Sequence, residues 1–145
     1  MRSEWGAARY HTDTPQDIGV LLYGIREHPK DYERDLSRRT FEFALEVMDL
    51  LKSVPYTREN DVVRFQLAKS AASVGAKYEG SRRTDSPSDM RDKTGSALQH
   101  AQEASTWLRV MQRMAVGDRE TIRRLITESG EIKTALRKIY REIEG

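Results

Sequence analysis

The stretch SPSDMRDKTGSALQHAQEASTWLRVMQRMAVGDRETIRRLITESGEIKTALRKIYREI, residues 86–143, carries the pattern that decides the fold. From Met90 its apolar and small residues return at Thr94, Ala97, Ala101, Ala104, Leu108, Met111 and Ala115, alternately four and three positions apart. That spacing lays them along one stripe of an α-helix. After Gly117 the rhythm resumes with Ile122, Leu125, Ser129, Ile132, Leu136, Ile139 and Ile143, and only Ser129 interrupts the apolar seam. Ser86 followed by Pro87, with an acid at Asp89, is a helix start: a side-chain acceptor, a residue that needs no N–H donor, and a charge suited to the positive helix end. Asp118 offers a similar cap to the following segment. The few residues between the two stripes suffice only for a tight turn, so the pair predicts an antiparallel hairpin of helices, each about 40 Å long. Alanine at the centre of the first seam permits close approach of a neighbouring helix.

Two further helices are expected upstream. One runs over residues 58–79 with Gly80 as its stop. Its middle contains Ala71, Ala72, Gly75 and Ala76, and glycine costs about 1 kcal/mol against alanine in a helix interior. These small residues are therefore read as a close-packed helix contact, within the chain or between chains. The other covers residues 32–54 and ends at Pro55. It carries two apolar rows, Phe41-Ala44-Met48-Leu51 and Phe43-Val47-Leu50-Val54, where a single seam needs one. One row is expected to line the core and the other to cover a neighbouring chain. Residues 1–30 read as an arm in which Thr14-Pro15-Gln16-Asp17 opens a short amphipathic helix bearing Ile18, Leu21, Leu22 and Ile25. The expected fold is all-α: an antiparallel up-and-down four-helix bundle over residues 31–145 with that N-terminal extension.

Composition narrows the chemistry. The 145 residues contain no cysteine, which excludes disulfides, thiolate metal sites and cysteine nucleophiles. No apolar run approaches the roughly 18 residues of a membrane span, and the N-terminus lacks a signal-peptide core, so a cytoplasmic protein is expected. His11, His28 and His100 lie on different segments, with no pair at helical metal-ligand spacing. The Glu-x-x-His pattern of a carboxylate di-metal bundle is absent, although Glu103 and Glu128 could face each other. No phosphate loop is present. The reading is a non-catalytic protein without metal or cofactor.

Charge points elsewhere. The net charge is +2, and residues 86–145 alone account for it, with eleven basic against nine acidic side chains. Arg109 and Arg113 close the third helix while Arg119, Arg123 and Arg124 open the fourth, so the hairpin should gather these five toward one end of the bundle. Arg137, Lys138 and Arg141 fall near the other end, with Arg82 and Arg83. Arginine suits bidentate phosphate contacts, which makes these residues candidates for binding RNA or DNA. They can equally be solvated helix faces paired with Asp118, Glu120, Glu128 and Glu142. Trp107, beside the third seam, is either packing or a surface on which a base could stack.

The run Gln66-Leu67-Ala68-Lys69-Ser70-Ala71-Ala72-Ser73-Val74-Gly75-Ala76-Lys77-Tyr78-Glu79-Gly80, followed by the serine-capped helix with Ala97, Glu103-Ala104 and Trp107-Leu108, resembles the four-helix-bundle family of the ribosomal-RNA intervening-sequence proteins. Arg124-Leu125-Ile126-Thr127-Glu128 and Glu131-Ile132 fit the same pattern, and the resemblance spans about residues 40–143. It departs at Lys77, where the family pattern has asparagine, and over the first 30 or so residues, which have no counterpart. The resemblance implies a homo-oligomer, a pentamer, often with a basic surface. The family name records a genomic address within ribosomal-RNA insertions, not a binding activity. A structurally similar group, the accessory proteins of diversity-generating retroelements, is associated with nucleic acid, and that link is analogy of fold. The expected function is non-catalytic binding by a homo-oligomer, with RNA or DNA as ligand. The alternative is a protein-interaction scaffold whose partner docks on the N-terminal helix or the oligomer rim.

Overall fold

The computed structural model describes residues 29–143. It is all-helical: α1, Pro29–Leu51; α2, Arg58–Arg82; α3, Pro87–Met114; and α4, Arg119–Glu142. The arm and short helix expected before residue 29 lie outside the described residues. By contacts the chain forms two compact units, Met1–Arg39 and Thr40–Gly145. In the first, the described part is the opening of α1, where Leu36, Ser37 and Arg38 are buried and Arg38 donates a 2.5 Å hydrogen bond to Asp35.

The second unit is the antiparallel bundle. α2 packs on α3, and α3 on α4. α1 meets α2 where Gly75 lies against Thr40 and where the Arg64 guanidinium reaches the Leu51 carbonyl, and it meets α4 where Arg124 pairs with Glu46. The helices therefore run round the bundle in chain order, as short connections between antiparallel neighbours require.

α2, α3 and α4 each start where a side chain satisfies the exposed amides of the first turn. The Asn60 amide donates to Thr57 Oγ1, Asp89 to Ser86 Oγ, and Thr121 to Asp118 Oδ2, at 2.9 to 3.1 Å. The ends differ more from expectation. α1 is helical to Leu51, and the chain then tightens through turn bonds such as Val54 N–H to Leu51 O. Arg64 closes this end, donating to the carbonyls of Leu51, Val54 and Pro55 while its guanidinium sits 4.1 Å above the Tyr56 ring. α2 does not stop at Gly80 but continues to Arg82. The aliphatic stem of Lys93 covers Gly80, and Ser81 is buried with its hydroxyl bonded to the Tyr78 carbonyl, so neighbouring packing outweighs the glycine penalty.

The core follows the predicted seams. Ala97, Ala101, Ala104 and Leu108 of α3 face Leu125, Ile132 and Leu136 of α4, all at 1% exposure or less. Ser129, the polar break in the α4 seam, is also fully buried and donates to the Ile126 carbonyl at 2.8 Å, so no polar atom is left unpaired there. Of the two α1 rows, Phe43, Val47, Leu50 and Val54 are buried. Phe41 and Met48 of the other row are exposed, but Leu51 belongs to the core.

Candidate nucleic-acid interface

The helical order gives the bundle an α1–α2 face and, opposite it, an α3–α4 face. On α3, Gln102, Thr106, Arg109 and Arg113 share the side that meets α4, at spacings of three and four. On α4 the matching side presents Arg119, Arg123, Ile126, Gly130, Lys133 and Arg137. Two observations fix how the rows align: Lys133 Nζ donates to Gln102 Oε1 at 3.0 Å, and Tyr140 lies against Gly95. The Tyr140 ring also carries the Arg91 guanidinium, 4.2 Å from its centroid. Basic side chains thus follow the groove from the hairpin turn to the far end of α4.

The field in this groove is unbalanced. Partial burial, together with the neighbouring charges of Arg109 and Arg137, holds the Lys133 ammonium below the usual lysine value. Arg109, Arg113, Arg119 and Arg137 are exposed and have no ion-pair partner among the described residues.

The five arginines singled out from sequence do not form one cluster. Arg123 pairs with Glu120 at 2.5 Å, and Arg124 turns to the opposite side of α4, where it holds Glu46 of α1 at 2.6 Å. Arg109, Arg113, Arg119 and Arg123 lie on the α3–α4 side. Their row is continued by Lys133 and Arg137. Lys133 is not among the residues singled out from sequence, and Arg137 lies one turn beyond it, toward the end of α4 away from the hairpin turn. The available signal was the three-and-four spacing of Arg123, Gly130, Lys133 and Arg137 along α4, which the apolar seam of the same helix overshadowed.

The small residues of α2 divide as well. Ala71 is fully buried, and a β-carbon at Gly75 would sit 3.2 Å from Thr40 Oγ1, so these two serve contacts within the chain. Ala72 and Ala76 face solvent, as does Lys77. They accompany a broader apolar surface over α1 and α2: Phe41 and Leu45 are 56% and 53% exposed, Val62 and Phe65 54% and 62%. Trp107 is half-buried on α3. Glu103 Oε1 lies 3.0 Å from His100 Nδ1 on its own helix. No group of three potential metal ligands occurs among the described residues, and no described helix is long and apolar enough to cross a membrane.

Among curated proteins, none matches this chain. A solved crystal structure from Bacteroides thetaiotaomicron, described as a protein of unknown function from the S23 ribosomal protein family, is similar over 73% of this chain and 98% of its own, with 26% identity and a TM-score of 0.68. The profile of the 23S rRNA-intervening sequence proteins matches residues 33–138, which spans α1 to α4 and both faces described above, and the chain belongs to that family.

Proposed function

We propose that this protein is a non-catalytic, homo-oligomeric helical bundle that binds RNA or DNA along its α3–α4 groove. The observation that carries the reading is the row of exposed cations Arg109, Arg113, Arg119 and Arg137, none ion-paired among the described residues, on the side where Lys133 reaches across to Gln102. Phosphates are the polyanion this arrangement suits, since affinity for them comes from many cations acting in a row. The apolar α1–α2 surface lies on the opposite side, so self-association through it leaves the groove open. A pentamer is the assembly that the family resemblance implies.

Light scattering coupled to gel filtration tests both parts. The full chain is expected to elute as a homo-oligomer, to gain RNA mass at low salt, and to lose it as ionic strength rises. A chain that takes up no nucleic acid at any ionic strength rejects the binding reading. The exposed apolar surface also favours a second reading, a scaffold for another protein. Capture of such a partner that vanishes when residues 1–30 are deleted, with no retention of RNA, would select it.

A further inference from the structure

The glycines separate one position from the rest. A β-carbon built on Gly75, Gly80, Gly95 or Gly117 would meet a neighbouring atom at 2.9 to 3.2 Å, so each of these is explained by packing inside the chain. Gly130 is different: a β-carbon there meets nothing within 4 Å. It stands in the interior of α4, where glycine weakens the helix, and nothing within the described chain requires it. One turn beyond the Lys133–Gln102 hydrogen bond, it lies level with Thr106 of α3, in the middle of the basic row. A glycine that internal packing does not use, on a charged groove, permits something outside the chain to approach the helix backbone.

The face also lacks what single strands require. The exposed aromatic rings among the described residues are Phe41, Tyr56 and Phe65, all on or beside α1 and α2; Tyr140 is half-buried beneath Arg91, and half-buried Trp107 lies two heptads from Lys93, on the side of α3 that meets α2 at Gly80. Binding of single strands relies on rings over which bases stack, whereas a duplex hides its bases and presents regularly spaced phosphates. Two rigid helices bearing cations in a straight row match the second surface.

Resting on the nucleic-acid reading above, we infer that the α3–α4 groove holds the sugar–phosphate backbone of a double helix, with closest approach at Gly130. Recognition is then by backbone and independent of sequence, and RNA and DNA duplexes share the chemistry that is recognised.

The test is fluorescence anisotropy of the full chain with labelled RNA and DNA duplexes and with single strands of the same length, across a salt series. The wild type is expected to bind a duplex at least about tenfold more tightly than the single strand. Gly130→Leu should lose about tenfold or more of duplex affinity while melting no lower than the wild type, because the side chain enters open space and leucine, like alanine, favours the helix over glycine; Gly130→Ala should also melt higher. Thr106→Glu, on the facing helix, provides the same block without altering α4. Replacing Arg109, Lys133 and Arg137 with alanine should reduce the salt slope by about 1 per cation removed, and Lys77→Ala should leave it unchanged. Tighter binding of single strands, or duplex binding unaffected by both Gly130→Leu and Thr106→Glu, overturns the inference while leaving the nucleic-acid reading standing. Absence of salt-dependent binding to every probe overturns both. A preference for the RNA or the DNA duplex, lost in both variants, supports the inference and identifies which backbone the groove fits.

Discussion

Ala115 ends α3 in the left-handed region, at φ 59° and ψ 42°, where a β-carbon crowds the following carbonyl. The conformation persists because it lets the Val116 amide reach Met111 O and the Ala115 amide reach Gln112 O, closing the end of the helix. Ala115→Gly should therefore stabilise the fold by about 1 kcal/mol and raise Tm by a few degrees, measured by thermal denaturation. An unchanged or lowered Tm would show that the strain is already relieved elsewhere. Two residues on, Gly117 has φ 91° and Met111 2.9 Å from a virtual β-carbon, so the turn uses its glycine for the tighter position. Asp118 then caps α4. Hydrogen bonds from the Thr121 hydroxyl and amide hold its carboxyl below the usual aspartate value of 3.8. A depressed folded-state pKa means stability that is present above pH 3.8 and lost as the pH falls through the lower, folded value. Asp118→Ala is accordingly expected to lower Tm at neutral pH, with the gap to wild type narrowing in acid melts well below 3.8; a gap that widens in acid contradicts the assignment.

At the scale of elements, the α1–α2 contact depends on the absence of a side chain at Gly75. Any β-carbon there stands 3.2 Å from the buried Thr40 hydroxyl. Gly75→Leu must push the helices apart or distort both, at a cost of about 1–3 kcal/mol or more. Its urea midpoint should fall correspondingly, and a midpoint equal to wild type would remove the contact from the account. Gly80 teaches the converse lesson. Glycine after an apolar stripe is a helix stop in isolation, yet α2 passes through it because Tyr78 and Ser81 on either side are buried. Local preferences amount to about 1 kcal/mol, and burial of one large side chain exceeds that.

At the scale of the whole molecule, the second apolar row of α1 has a meaning only when α2 is beside it. Leu45 of α1 and Val62 and Phe65 of α2 form a set of large apolar side chains, each more than half exposed. As the proposed self-association surface, it predicts that Phe65→Glu reduces the molecular mass seen by light scattering while helical content by circular dichroism stays unchanged, since Phe65 is 62% exposed in the single chain. A variant that retains the wild-type mass would place the subunit contact elsewhere.

The helices and their seams are legible in the order of the amino acids alone. The spacing of Thr94 to Met111 and of Ile122 to Leu136, with caps at Ser86 and Asp118, is local information, and three-and-four periodicity converts directly into a buried stripe, while the seam ends at Met90, Ala115, Ile139 and Ile143 stay partly or wholly exposed. It also located the excess of basic residues in the last two helices. Which of those cations share a face depends on how the helices pack. Arg124 lies next to Arg123 in sequence, yet the 100° turn between successive helical residues sends it across to Glu46, while Lys133 of α4 reaches Gln102 of α3. The same holds for Arg64, which closes the end of α1 from α2, and for Gly130, whose open surroundings appear only once α3 is in place. Periodicity along a chain specifies which face of a helix is apolar; the partner that face meets, and the polar residues that converge beside it, depend on packing between helices distant in sequence.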